Sequence, residues 1–179
     1  DARDGKFVSW HQDSAYYGLD PHDVITLWLA FTDASPENGC MKVLPGSHTW
    51  PDQQHLETYD ENNLLSRGQT IAGLNEDDAV LMPLKAGQFS MHHERQLHAS
   101  GPNVTDDRRM GMSFTFLPTR VKCILDRRSA TLVRGTDEFK NWAEDPKPRY
   151  DLDPVCMETI QHWIKAYADP DVPQEAVRT

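Results

Sequence analysis

Arg109-Met110-Gly111-Met112-Ser113-Phe114-Thr115-Phe116-Leu117 alternates strictly, with Met110, Met112, Phe114 and Phe116 on one side of an extended chain and Arg109, Gly111, Ser113 and Thr115 on the other. Successive side chains of a strand point to opposite faces, so this is a β-strand with one apolar face and one polar, small face. An apolar stripe of this kind predicts that the four large residues are core. The same period returns upstream in residues 24–31, where Ile25, Leu27, Leu29 and Phe31 alternate with Thr26, Trp28 and Ala30. Further strands are predicted over 6–13, 41–44, 79–84 and 88–92, the last running toward His98. Between them lie the turn clusters Pro36-Glu37-Asn38-Gly39, Pro45-Gly46-Ser47-His48, Lys85-Ala86-Gly87 and Ser100-Gly101-Pro102-Asn103. Residues 51–78 hold no sustained period and read as a long excursion, with room for a short helix, of the kind used for lids and binding loops. Asp153-Pro154, an N-cap followed by proline at the first helical position, opens an amphipathic helix through about Tyr167. The chain after Asp169-Pro170 reads as a loose tail. Many short strands and one late helix predict an antiparallel β-sandwich or barrel, near the eight strands of a jelly roll.

A chain of 179 residues suits one domain, residues 1–179, and can bury a sizeable core without staples. The formal net charge of -10 would repel phosphate backbones and anionic lipid, which argues against nucleic acid as a partner. No apolar run approaches the ~20 residues that cross a bilayer, so no membrane partner is expected. Cys40, Cys123 and Cys156 show no CxxC spacing and suit neither a disulfide framework nor a zinc knuckle, which fits a reducing cytoplasm. Asn103-Val104-Thr105 matches the glycosylation pattern without a secretion signal to support it. The sequence carries no signal of an oligomeric state.

In Trp10-His11-Gln12-Asp13 the histidine and aspartate are two apart on a strand, so the pleat sends both side chains to one face, where they can bite one metal. Two histidines and one carboxylate on one face of a metal leave positions open for a bidentate cosubstrate and O2, and iron(II) is the natural occupant.

Three runs, Trp10-His11-Gln12-Asp13, Glu37-Asn38-Gly39-Cys40-Met41-Lys42-Val43-Leu44-Pro45-Gly46-Ser47-His48 and Leu97-His98-Ala99-Ser100-Gly101-Pro102-Asn103 with Arg109 beyond, resemble the phytanoyl-CoA dioxygenase family in motif and in order. The similarity spans residues from about 7 to 120, and Leu132-Val133-Arg134-Gly135 is similar to bacterial members. The resemblance implies a double-stranded β-helix (jelly roll) with a C-terminal helix and an iron(II) triad of His11, Asp13 and His98. It implies 2-oxoglutarate and O2 as cosubstrates, with Arg109 and Ser100 holding the far carboxylate of 2-oxoglutarate and Trp28 lining its pocket. It also implies a missing piece, since members carry roughly a hundred residues of helices and early strands before the His-x-Asp strand. The activity implied is hydroxylation of a small organic substrate with release of succinate and CO2, a carboxylate at Asp13 favouring this over halogenation. Arg109 fits its role independently, because guanidinium is a bidentate fork for carboxylate and lies on the polar face of its strand.

Two other classes compete: a non-catalytic jelly-roll binding module, and a cupin-type metalloenzyme that does not use 2-oxoglutarate. The first has no need of Arg109 and Ser100 at this spacing, and the second is usually richer in histidine ligands. Arg108 has the opposite parity to Arg109 and reads as solvated. His92 and His93 precede His98 on the incoming strand and one of them can face inward, but spacing favours His98 as ligand. His48 reads as structural, and His22, His55 and His162 have no supporting pattern. Gln12, Tyr16, Tyr17, Arg134 and the 51–78 excursion are candidate substrate contacts.

Overall fold

The computed structural model describes residues 1–65, 68–125 and 128–168. In chain order the strands are β1 (Val8–His11), β2 (Leu19–Asp20), β3 (Ile25–Ala30), β4 (Met41–Val43), β5 (Val80–Leu81), β6 (Phe89–His93), β7 (His98–Ser100), β8 (Gly111–Phe116), β9 (Lys122–Cys123), β10 (Ser129–Ala130) and β11 (Ala143–Glu144), with helices α1 (Ser14–Tyr17) and α2 (Pro154–Ala168). The chain divides into two compact units, Asp1–Ala15 with His22–Leu117, and Tyr16–Pro21 with Pro118–Thr179.

The first unit is a jelly roll. One antiparallel sheet has the order β1-β7-β4-β5 and the other β6-β3-β8, so the chain crosses from sheet to sheet at every step from β5 to β8, while β4 and β5 follow one another within one sheet. The switch that sequence periodicity does not show lies between β6 and β7, where Gln96 N donates to His93 O at 2.8 Å and turns the chain from one sheet to the other. Ser47, fully buried in the Pro-Gly-Ser-His turn, holds that switch: its hydroxyl accepts from Leu97 N at 2.8 Å and from Gln96 Nε2 at 2.7 Å.

Alternation then sorts the four-stranded sheet. Trp10, Leu97 and Ala99 pack with Leu44 and Ile71 into a buried apolar cluster, while His98 and Ser100 have the opposite parity on β7. On β1 the register slips between Val8, opposite Ser100, and His11, opposite His98. Such bulges re-aim side chains near functional sites. The excursion covers the free edge of β1: Leu64 N donates to Phe7 O at 2.9 Å and Ile71 N to Trp10 O at 3.0 Å. Its only regular piece among the described residues is a 3-10 turn at Glu76–Asp78.

The three-stranded sheet has the two faces that its period predicts, with the opposite assignment to inside and outside. Registers align His92, Thr26 and Thr115 in one row and Ser90, Trp28 and Ser113 in the next, and Thr26 Oγ1 donates to the buried Asp13, so the polar face is the one turned to Asp13, buried at Thr26 and Ser90 and exposed along the whole of β8. Met112, Phe114 and Phe116, expected in the core, are 39–46% exposed, and Met110 just before the strand is 45% exposed. They share their face with Ile25, Leu27, Leu29, Phe89 and Met91 across the same registers. A period of two says that the faces differ and not which one the fold turns inward.

The second unit holds the antiparallel pair β2–β9, the parallel pair β10–β11 and α2. Asp153 caps α2, its Oδ1 accepting from Val155 N at 3.1 Å, and its carboxylate also takes Arg149 Nε at 2.8 Å. The tail expected after Asp169-Pro170 lies outside the described residues. No helix among the described residues is long and apolar enough to cross a membrane.

Candidate metal centre

β1 ends on His11 and delivers Asp13 just beyond, while β7 opens on His98 directly opposite His11. One ligand atom from each of His11, Asp13 and His98 lies within 4.8 Å of the others. Asp13 Oδ1 is 3.6 Å from His11 Nε2 and 3.9 Å from His98 Nε2, and the three side chains are 6–12% exposed. Each imidazole is oriented from behind, His11 Nδ1 donating to Ser9 O and His98 Nδ1 to Gln96 O, both at 2.9 Å. A donating Nδ1–H leaves the Nε2 lone pair facing the centre, the second-layer arrangement typical of metal-binding histidines. Asp13 Oδ2, turned away from both rings, accepts from Thr26 Oγ1 at 3.0 Å.

The protonation states suit a cation. Burial pushes the His98 imidazole down to about 3, with the neighbouring His11 ring adding to the effect. Burial alone would raise the Asp13 carboxyl, but the His11, His92 and His98 rings around it hold it well below the usual carboxylate range. Neutral imidazoles and an ionised carboxylate are the forms that bind metal, and this nitrogen–oxygen donor set fits iron(II).

Arg109 is half-buried with its guanidinium 5.6 Å from the centre of the Trp28 ring, and burial lowers its pKa. It has no carboxylate partner among the described residues. The opening for that stack is Gly111: a Cβ there would lie 2.2 Å from the Trp28 ring. Ser100 is half-buried two residues beyond His98, on the same face of β7. Arg108 is exposed, near Asp1 Oδ1 at 3.5 Å.

One candidate substrate contact turns out differently from expectation. Gln12 is fully buried and committed: its Nε2 donates to Arg95 O at 3.0 Å and its Oε1 accepts from Gln53 N at 2.7 Å, so it anchors the start of the excursion rather than meeting a substrate. Tyr16, Tyr17 and Arg134 belong to the second unit. His92 faces inward, with Nε2 3.5 Å from Asp13 Oδ2 and its ring centre 4.6 Å from that of His98. Thr26 escaped the reading of motifs, although it shares the parity of Trp28 and could have been taken from it, while of His92 and His93, one of which was expected to face inward, it is His92 that does.

The family described as phytanoyl-CoA dioxygenase (PhyH) matches residues 1–111. A "Probable alpha-ketoglutarate-dependent hypophosphite dioxygenase" of Stutzerimonas stutzeri is 36% identical over 107 residues, 59% of this chain and 37% of that protein. Among solved structures, the non-heme monooxygenase ThoJ in its apo form superposes with a TM-score of 0.77 at 34% identity, covering 93% of this chain and 60% of that one. EvdO2 from Micromonospora carbonacea var. aurantiaca, complexed with 2-oxoglutarate, gives 0.56 at 32% identity over 64% of this chain and 46% of that one. The matched part thus spans less than two thirds of each of these relatives. With the family's pattern running through 1–111, the jelly roll around it and the structural likeness to ThoJ, the chain belongs to the phytanoyl-CoA dioxygenase family.

Proposed function

We propose that residues 1–179 form the catalytic domain of an iron(II)- and 2-oxoglutarate-dependent oxygenase that hydroxylates a small organic metabolite. The balance is R–H + O2 + 2-oxoglutarate → R–OH + succinate + CO2. The observation that carries this reading is the convergence of His11 Nε2, Asp13 Oδ1 and His98 Nε2 within 4.8 Å, on the side of the fold to which Arg109 and Trp28 also turn. Bound iron(II) supplies the oxygen activation and electron transfer that no side chain can. His11, Asp13 and His98 would hold it, and cosubstrate and O2 would meet it there. Arg109 takes the far carboxylate of 2-oxoglutarate as a charge-assisted fork, Ser100 adds a hydroxyl, and Trp28 forms the wall that dries the pair.

The acidic balance of the chain favours a neutral or cationic metabolite over a CoA thioester, whose phosphates want basic partners. The three free cysteines suit a cytoplasmic setting. The test is an anaerobic titration with iron(II) and then 2-oxoglutarate, followed by the weak visible charge-transfer band of their chelate. We expect the band in the wild type and its loss in Asp13→Ala. A wild-type protein that binds neither, or binds metal but never 2-oxoglutarate, ends the proposal in favour of a binding module or a cupin-type enzyme.

A further inference from the structure

We infer that His92 is an additional residue of this site, a hydrogen-bonding contact for the chelating, 1-carboxylate end of 2-oxoglutarate; the inference rests on the oxygenase reading above. The His92 side chain is 6% exposed, and neither ring nitrogen makes a hydrogen bond of good geometry, Nε2 having only the long contact to Asp13 and Nδ1 none. Its polar approach is to Asp13 Oδ2 at 3.5 Å, an oxygen that Thr26 already serves at 3.0 Å. Buried polar atoms in native proteins are nearly always paired, and an unpaired one points to a missing ion, water or ligand. Two residues away on the same face of β6, Ser90 Oγ is also buried and unpartnered. Two orphaned groups therefore line one stretch of the inner wall.

The registers say what that wall faces. His92 stands in the row of Thr26, which holds Asp13, and Ser90 stands in the row of Trp28, whose ring carries Arg109. A dicarboxylate running from the metal toward Arg109 would pass both, and its end at the metal is a carboxylate whose free oxygen needs a donor. His92 is not a fourth metal ligand: Asp13 turns Oδ1 to His11 and His98 but Oδ2 to His92. An imidazole N–H aimed at a carboxylate oxygen in a buried site makes a charge-assisted hydrogen bond.

The experiment compares wild type, His92→Phe and His92→Gln anaerobically, measuring iron(II) stoichiometry and then 2-oxoglutarate affinity and the position of the chelate band. We expect His92→Phe to keep its iron, bind 2-oxoglutarate about tenfold more weakly and shift the band, and His92→Gln, which keeps a donor, to recover most of the affinity. If His92→Phe fails to fold, His92→Asn, too short to reach, takes its place against His92→Gln. Wild-type affinity and an unshifted band in His92→Phe overturn the inference, as does loss of iron, which would make His92 a ligand. Absence of the band in the wild type instead removes the oxygenase reading itself, so the two failures are told apart.

Discussion

Arg109 and Arg108 are neighbours in sequence with opposite surroundings, one half-buried against Trp28 and the other exposed beside Asp1. Arg109→Leu should weaken 2-oxoglutarate binding by about 3 to 5 kcal/mol, the usual loss when one partner of a buried charge pair is removed, and leave metal binding intact. Arg108→Leu should change neither by more than about twofold, since exposed pairs contribute ~0–1 kcal/mol. Calorimetric titration of both variants checks this, and an exchange of the two effects would refute the parity argument. His98 adds a pH dependence to the metal-free protein. A histidine in the unfolded chain titrates near 6.5, whereas the folded site resists protonation until about 3. As pH falls below 6.5 the unfolded chain takes up a proton that the folded one refuses, so stability falls across that window and is flat above it. The low Asp13 carboxyl stabilises above the ordinary carboxylate range and adds a further loss only below pH ~4. Urea midpoints should drop by the equivalent of about 1 kcal/mol between pH 7.5 and 5.5, and His98→Gln should flatten that drop. The three residues proposed as ligands were legible because His-x-Asp and the distal histidine are local patterns. His92 was not, because its direction depends on its register with β3.

The elements were legible where a period was long enough. β3 and β8, six residues each, fall where alternation predicts them, and α2 starts at its capping aspartate. The two-residue pairs β2–β9 and β10–β11 have no period to read, and the turn after His93 left no Gly or Pro to mark it. Gly39 is the turn residue with most at stake. Its φ is +79°, and a Cβ would lie 2.2 Å from the Gly101 carbonyl oxygen, beside Ser100. Gly39→Ala should therefore cost at least about 2 kcal/mol, more than a strained backbone alone, because the loop carrying Gly101 must also shift. Thermal denaturation measures it, and a loss under half that value would show that the two loops separate freely.

At the scale of the molecule, the sequence showed a two-faced sheet and put the wrong face in the core. In this chain Ile25, Phe89, Met91, Met112, Phe114 and Phe116 stand 39–54% exposed on the three-stranded sheet. Contiguous apolar surface of this kind promotes association. We expect this chain to bind a hydrophobic dye and to self-associate at micromolar concentration, and Phe114→Lys with Met91→Glu to suppress both while preserving metal binding. Sedimentation velocity decides it; a monomer with no dye signal would mean that the face is covered.

Among the described residues β8 is hydrogen-bonded on one side to β3 and to no strand on the other. Antiparallel pairing turns alternate amides toward the neighbour and the rest away from it. In heavy water the amides of residues 111–116 should therefore split into two interleaved sets, one deuterating within the dead time and one persisting as long as β3 holds. That comb-like isotope pattern would serve as a label for anything that later zips onto the strand, because only the fast set would fall silent.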